Sequence, residues 1–247
     1  MREPSEKDLQ LLKKLVFMEE KQLHEVMATW LRRKYDNDVI VKKEYIVAKG
    51  NIPVALVAHM DTIYASSPKI FKYFENEGFI HGLGFDDRAG IFAIIKIIQS
   101  GLRPSVILTT GEEEGGIGAT LLTLDYQESP IRDLNFLIEL DRRGTNDCVF
   151  YHCNNEKFIK FIEEYGFERN TGSYSDISFI MSQWKVCGVN ISVGYYNEHT
   201  PSEILLPDIL LDNIDIIKEI LFDSCKIKKF KYMEDSCLNI LKMTSKQ

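Results

Sequence analysis

The sequence has no long hydrophobic run. It contains no stretch of about 18 apolar residues, roughly the minimum for a helix that crosses a bilayer. The N-terminal segment Met1–Asp8 is charged, and it lacks the apolar core of a secretory signal peptide. We therefore expect a soluble protein of the cytoplasm with no membrane partner.

Cysteine and positive charge are also scarce. The five cysteines in 247 residues are few and odd in number, which favours reduced thiols over a disulfide framework. The 30 lysines and arginines are outnumbered by 37 aspartates and glutamates, which gives a net charge of -7 at pH 7. Such an acidic balance argues against nucleic acid as a partner.

Hydrophobic periodicity predicts helices at the start of the chain and strands after them. Ser5 is expected to cap a first helix, and Lys21–Lys34 carries the apolar stripe of a second. The segment Asp38–Lys49 is rich in β-branched residues, which favour strands. We interpret Gly50-Asn51 as a hairpin-like turn into the apolar strand Ile52–Ala58.

Strand and helix patterns alternate along the rest of the chain. The predicted strands are Ser105–Thr109, Leu134–Leu140, Val149–Cys153 and Gly188–Val193, and the predicted helices are Ala89–Ser100, Gly118–Asp125, Asn155–Tyr165, Asp176–Trp184 and Pro207–Phe222. Alternation of this kind predicts a three-layer α/β/α sandwich with a mixed, mostly parallel sheet. We find no repeat or linker and expect one domain over residues 1–247, with 226–247 as a peripheral, partly helical tail.

Metal-ligand residue types follow the ends of the predicted strands. They are His59 and Asp61, Glu112 and Glu113, Asp141 and His199, together with Asp86-Asp87 on the glycine-rich turn into the buried helix. In an open α/β sheet, sites form outside the carboxyl ends of the strands, so residues distant in sequence converge there. We therefore expect these side chains to form one site.

The residue types of this site suit divalent metals. Two histidines and four or more carboxylates form a nitrogen and oxygen ligand set that suits zinc, cobalt or manganese. The set exceeds the needs of one tetrahedral zinc ion and matches a two-metal site with a bridging carboxylate. A further carboxylate that binds no metal would act as general base, which explains why Glu112 and Glu113 form a pair.

At this point the motifs resemble a known family. They are His59-x-Asp61, Gly-Phe-Asp86-Asp87-Arg-x-Gly, Glu112-Glu113-x-Gly-x-x-Gly-Ala, Asp141 after an apolar strand, and His199-Thr-x-x-Glu203. In this order they resemble the signature of the co-catalytic dinuclear zinc exopeptidases, which include bacterial leucyl aminopeptidases, carboxypeptidase G and aminoacylases. The gaps of 27 residues (59 to 86) and 58 residues (141 to 199) are too short for the lid domains that many members insert. The resemblance therefore implies a bare catalytic domain.

The resemblance also implies a ligand arrangement. One metal ion would be bound by His59 and Asp141, the other by Glu113 and His199, and Asp86 would bridge the two ions.

Two further residues receive roles from the resemblance. Glu112 would be the general base that deprotonates the attacking water and later protonates the leaving amine. Asp61 would lie behind His59 and orient its imidazole ring.

Several of these positions have alternative interpretations. Asp86 and Asp87 could both cap the helix that follows; we assign the cap to Asp87 and the metal to Asp86, although a shift of one residue would exchange them. Asp141 precedes two arginines and could form a structural salt bridge. Ser173–Asp176 resembles a Ser-Asp turn near the substrate pocket of some of these enzymes, and a helix N-cap explains Asp176 equally well.

The sequence thus predicts a zinc-dependent exopeptidase that acts on a peptide or small amide, with an aminopeptidase favoured over a carboxypeptidase. Its cofactor would be two divalent metal ions, with zinc expected ahead of cobalt or manganese. The alternatives are a deacylase of N-acyl amino acids, a one-zinc cyclotransferase, and a catalytically silent binding protein of the same fold. The cyclotransferase would leave His59 and Asp141 without a role, and the silent protein should have lost a ligand or the base. The oligomeric state is not indicated by any motif.

Overall fold

Two amphipathic helices begin the chain, as predicted. In the computed structural model, which describes residues 2–36, 38–64, 66 and 69–234, α1 spans Glu6–Val16 and α2 spans Glu20–Lys34. The Ser5 hydroxyl accepts the Asp8 N–H at 3.2 Å, and the Asp8 carboxylate accepts the Ser5 N–H at 3.2 Å. This reciprocal capping fixes the start of α1 where the sequence predicts it.

In the described part of the chain, twelve strands form two sheets. In chain order they are β1 (Val39–Val41), β2 (Tyr45–Ala48), β3 (Ile52–His59), β4 (Phe71–Phe74), β5 (Phe79–Gly82), β6 (Pro104–Thr109), β7 (Phe136–Arg142), β8 (Asp147–Val149), β9 (Glu168–Arg169), β10 (Cys187–Ser192), β11 (Tyr195–Tyr196) and β12 (Ile204–Leu205). The central sheet has the order β1-β2-β6-β3-β7-β10-β8-β9. Strands β6, β3, β7 and β10 are parallel to one another, and their apolar residues are buried on both faces, as such a sheet requires.

Helices cover both faces of the central sheet. The remaining helices are α3 (Phe85–Gln99), α4 (Ile117–Asp125), α5 (Glu156–Glu163), α6 (Asp176–Trp184) and α7 (Pro207–Ser224). Helices α1, α3 and α7 pack together on one face, and α4 and α6 pack together on the other. The predicted three-layer α/β/α sandwich with a mixed, mostly parallel sheet is therefore confirmed.

A second, four-stranded sheet lies beside the site, in the order β11-β12-β5-β4. Strands β4 and β5 come from the segment between His59 and Asp86, and β11 and β12 flank the loop that carries His199. The sequence does not predict this sheet, because its strands have only two to four residues and little alternation. It joins the turn before α3 to the His199 loop.

The strand structure predicted for Asp38–Lys49 is present as the two antiparallel strands β1 and β2, but the hairpin turn predicted after it is wrong. Gly50-Asn51 is not a hairpin turn, because β6 lies between β2 and β3. The connection from β2 to β3 passes the start of β6, where the N–H groups of Asn51 and Ile52 both donate to the Arg103 carbonyl. Only the start of the predicted strand Val149–Cys153 is extended, and the chain turns after it.

Residues 226–234 run across the body of the domain without forming a helix. The Phe230 ring packs against the rings of Phe136, Phe158 and Phe161 at centroid distances of 6.1, 5.3 and 5.6 Å. The rest of the predicted tail, 235–247, lies outside the described residues. Within the described part of the chain, no helix has both the length and the apolar character of a membrane span.

Candidate metal centre and active site

His59 is the last residue of β3 and is 1% exposed. Its Nε2 atom lies 3.0 Å from Asp86 Oδ1 and 3.6 Å from Asp141 Oδ1. Its Nδ1 atom lies 3.3 Å from Asp61 Oδ1, close enough for an ion pair although not aligned as a hydrogen bond. Three carboxylates thus surround one buried imidazole ring.

Asp86 occupies the centre of the cluster. While its Oδ1 atom faces His59, its Oδ2 atom lies 3.2 Å from His199 Nε2. The same His199 nitrogen lies 2.9 Å from Glu113 Oε1. The predicted ligands therefore form two groups, one around each histidine, and the two oxygens of Asp86 face one group each.

Asp87 has different partners from its neighbour, to which it is joined by a cis peptide bond. Its Oδ1 atom accepts the Gly90 N–H at 2.9 Å, and its Oδ2 atom accepts the His59 N–H at 3.2 Å. A methyl group on Gly90 would lie 2.3 Å from the Leu140 carbonyl oxygen and 2.4 Å from Asp87 Oδ1, so only glycine allows this close approach. Because Asp86 and Asp87 have non-helical backbone angles, Asp87 caps the regular part of α3 that follows it and ties this part to the end of β3.

Asp61 connects His59 with the glutamate pair. Its Oδ1 atom accepts the Glu112 N–H at 3.3 Å, and its Oδ2 atom accepts the Glu113 N–H at 3.2 Å. The side chain of Asp61 is buried, and so is that of Glu112. Asp61 therefore holds both the imidazole ring and the loop after β6.

A layer of polar side chains surrounds Asp141 at the end of β7. The Tyr195 hydroxyl donates to Asp141 Oδ1 at 3.1 Å. The Ser175 hydroxyl lies 3.1 Å from Asp141 Oδ2 and 2.6 Å from Glu139 Oε2. Sequence reasoning missed Tyr195 and Glu139, and it marked Ser175 only as part of the turn Ser173–Asp176. Glu139 was detectable, because it is the one charged residue inside the apolar run Leu134–Leu140.

The separations between these atoms fit metal ligands. With zinc-to-ligand distances of about 2.0–2.1 Å, two atoms of a tetrahedral shell are roughly 3.3 Å apart. The distances from Asp86 to His59 and to His199 are 3.0 and 3.2 Å, and those from His59 to Asp141 and from His199 to Glu113 are 3.6 and 2.9 Å. Imidazole nitrogens and carboxylate oxygens are also the donors that zinc prefers.

The charge of the site favours cations as well. Seven carboxylic residues here are buried, namely Asp61, Asp86, Asp87, Glu112, Glu139, Asp176 and Glu203, whereas Arg88 is the one buried arginine or lysine among the described residues. Burial and the charge of Asp86 raise the pKa of Glu113 to about 7 and that of Asp141 to about 6. Burial and the charge of Asp141 raise the pKa of Glu112 to about 9. Divalent ions would displace protons from such groups.

The metal-free protein is expected to lose stability as the pH rises. A group with a raised folded-state pKa binds more protons in the folded state, so the free energy of unfolding falls between its unfolded and folded pKa values. This window runs from 4.5 to about 7 for Glu113 and from 6.5 to about 9 for His199, whose hydrogen bond to Asp86 raises its pKa. Thermal unfolding of chelator-treated protein across this range should show a falling midpoint. A constant or rising midpoint would contradict this account.

Comparison with solved structures tests the fold. No protein-family model matches the sequence, and no curated protein matches it. A tripeptidase from Staphylococcus aureus matches with a TM-score of 0.70 and 16% identity over 90% of this chain and 99% of that chain. Aminopeptidase PepT from Bacillus cereus matches with a TM-score of 0.69 and 14% identity over 89% and 98%. The chain has the fold of these peptidases.

A third structure of this peptidase fold is the TET1 peptidase of Pyrococcus horikoshii, which can assemble into a tetrahedron or a large octahedral shell. It matches with a TM-score of 0.62 and 15% identity over 87% of this chain and 99% of that chain. Such low identities establish the fold alone, since one fold can support several chemistries.

Within the peptidase fold of this chain, a cleft of about 1000 Å³ opens beside the site. Its lining includes the first turns of α2, the turn after β1 and, of the predicted site residues, Asp61 and Glu113. The cleft therefore borders the cluster on the side of these two carboxylates.

Asp176 and His81, two other titratable residues near the site, have ordinary structural partners. Ser175, and not Asp176, is the N-cap of α6; the Asp176 carboxylate instead accepts a hydrogen bond from the Thr109 hydroxyl. His81 Nε2 lies 3.0 Å from the Pro201 carbonyl oxygen and takes no part in the cluster.

Proposed function

We propose that this chain is a zinc-dependent exopeptidase of the aminopeptidase type that uses two divalent metal ions. The observation that carries the proposal is the position of Asp86, whose carboxylate oxygens face His59 and His199 at 3.0 and 3.2 Å. A carboxylate between two histidines, each with a carboxylate of its own, suits a bridged pair of ions. Cobalt or manganese would suit the same donors.

The two metal positions would share Asp86. His59 and Asp141 would complete the first position, and Glu113 and His199 the second. Ions bound there would polarise the scissile carbonyl group and lower the pKa of a water molecule to about 7. The residues Tyr195 and Ser175, which contact Asp141, would keep its carboxylate oriented.

Glu112 would move the proton. It is buried at the end of β6, and the hydrogen bond from its N–H to Asp61 fixes its position relative to His59. Nearby positive charge favours the ionised carboxylate, so Glu112 could accept the proton of the attacking water. It would then donate that proton to the nitrogen of the leaving amine, and the peptide bond would break.

The charges of the cleft favour a substrate with a free amino end. Beyond the predicted ligands and Asp61, its charged lining consists of four glutamates and two lysines: Glu20, Glu25, Glu44, Glu114, Lys21 and Lys43. A carboxypeptidase would need a cationic group for the terminal carboxylate, and both lysines lie among these acids. The cleft therefore supports an aminopeptidase over a carboxypeptidase.

We also infer that residues 1–247 act as a single catalytic domain on a peptide or small amide in the cytoplasm. A deacylase of N-acyl amino acids remains the second enzyme class, because its chemistry would use the same ligands and base. A panel of aminoacyl-arylamides and N-acyl amino acids separates the two activities. Turnover of the N-acyl compounds alone would replace the aminopeptidase assignment with the deacylase.

Removal of divalent metal is expected to abolish hydrolysis, and restoring it should need two ions per chain. The chelator-treated protein should regain activity on aminoacyl-arylamides when zinc, cobalt or manganese is added, because each suits the donor set. The measurement combines metal analysis with activity at increasing metal-to-protein ratios. Full activity of a protein shown to be metal-free would refute the proposed function.

A further inference from the structure

Glu203 is a buried carboxylate without a place in the proposed chemistry. It is 1% exposed and lies four residues after His199. Its Oε2 atom accepts the Gly84 N–H at 2.7 Å, and its Oε1 atom accepts the Asp86 N–H at 3.2 Å. Both carboxylate oxygens of Glu203 therefore accept hydrogen bonds from the backbone of the turn that carries Asp86.

The backbone around Glu203 strengthens this link. The Glu203 carbonyl accepts the Gly82 N–H at 3.3 Å. The next two residues form β12, which pairs with β5 immediately before the turn. Gly84 has a φ of +85°, a conformation that strongly favours glycine. The turn thus depends on contacts with the His199 segment for its shape.

The two halves of the site differ in how firmly they are held. His59 ends a central strand and is 1% exposed, whereas the side chain of His199 is 46% exposed on a surface loop. Short-range hydrogen bonds such as the one from the Thr200 hydroxyl to the Asn197 carbonyl shape that loop. Glu203 is the buried side chain that connects it to the turn carrying Asp86.

Placing a carboxylate here also carries an electrostatic cost. Glu203 is buried near Asp86, and a second negative charge in a low-dielectric region is unfavourable. The two charge-assisted hydrogen bonds from the backbone offset part of this cost. Because a carboxylate offers two acceptor oxygens to the two backbone N–H groups, a role in holding the turn explains why an acidic side chain occupies this position.

We infer that Glu203 is a positioning residue that fixes the position of the Asp86 carboxylate relative to His199. The metal position formed by Asp86, Glu113 and His199 therefore depends on Glu203. The inference rests on the proposed two-metal function. The position formed by His59 and Asp141 is anchored by β3 and β7 and depends on Glu203 much less.

The test is a metal titration of Glu203→Gln. Glutamine keeps the size of the side chain but offers one acceptor oxygen to two N–H donors, so the turn must shift. Calorimetric titration of the metal-free proteins with cobalt should show two ions in the wild type. In Glu203→Gln one ion should bind as in the wild type, and the affinity for the other should fall about 10- to 100-fold, as is typical when a partner of a ligand is lost.

Two further variants complete the experiment. Glu198→Gln removes a carboxylate next to His199, one that pairs with Arg143 at 2.8 Å, and it should bind both ions normally. Glu203→Asp keeps the charge but is one methylene shorter, so a geometric role predicts a weakened second ion here too. If Glu203→Gln does not fold, by circular dichroism, the titration of Glu203→Asp decides the question.

The outcomes separate the two proposals. Binding of both ions with wild-type affinity by the Glu203 variants would overturn the positioning role, and so would an equal weakening of both ions. Rescue by Glu203→Asp would also overturn it, since charge alone would then suffice. Fewer than two ions in the wild type would instead refute the proposed function.

Discussion

Glu112→Gln is expected to lower kcat by about 10²- to 10⁴-fold, the usual contribution of a general acid or base, while two metal ions remain bound. Glutamine preserves the shape of the side chain and the N–H bond to Asp61 but cannot accept the proton of the attacking water. KM should change little, because this step occurs after binding. Steady-state kinetics and metal analysis on the same preparation provide the measurement.

Glu198→Gln is the matched control for this experiment. It also exchanges a glutamate near the site for glutamine, but its carboxylate pairs with Arg143 at 2.8 Å and has no role in the proposed mechanism. Its kcat should equal that of the wild type. Full activity in Glu112→Gln would remove Glu112 from the mechanism, and loss of both metal ions would show that it is a ligand instead.

The second large effect is expected from Asp86→Asn. An asparagine has one carboxamide oxygen and no charge, so it cannot serve both histidine groups at once. Metal content should fall from two ions to one or none. If the lost interactions stabilise the transition state by several kcal/mol, kcat/KM falls on the order of 10³-fold, since each factor of ten corresponds to about 1.4 kcal/mol.

Asp141→Asn provides the comparison for this variant. Asp141 lies 3.6 Å from His59 Nε2, and the proposed arrangement assigns it to the ion of His59 alone, so its replacement should weaken one ion and spare the other. Identical metal binding curves for the Asp86 and Asp141 variants would contradict a bridging role for Asp86. An Asp86→Asn protein that holds two ions would exclude that role outright.

The convergence of His59, Glu113 and Asp141 could be predicted from sequence because these residues follow buried parallel strands. Ile52–Ala58 and Leu134–Leu140 are almost wholly apolar, and a polar residue directly after such a strand must lie at its carboxyl end. The resemblance to a known family added the roles, but the convergence follows from the topology itself.

The support of the site could not be predicted in the same way. Glu203 and Ser175 act through hydrogen bonds to groups more than 30 residues away, Asp86 N–H and Asp141 Oδ2 respectively, and no local pattern specifies such a partner. The short strands β5 and β12 contain too few residues for periodicity to be visible. The wrong prediction of a hairpin at Gly50-Asn51 has a related cause. A turn sequence does not reveal that a later strand, here β6, inserts between the two strands that the turn connects.

The position of β3 has a consequence for biosynthesis. Its two neighbours in the sheet, β6 and β7, both come later in the chain. During translation the nascent polypeptide therefore carries an apolar strand with two open edges until β6 has emerged from the ribosome, and with one open edge until β7 has emerged. Exposed strands of this kind promote aggregation, so this protein is most vulnerable, and most in need of a chaperone, before the residues after Asp141 are synthesised.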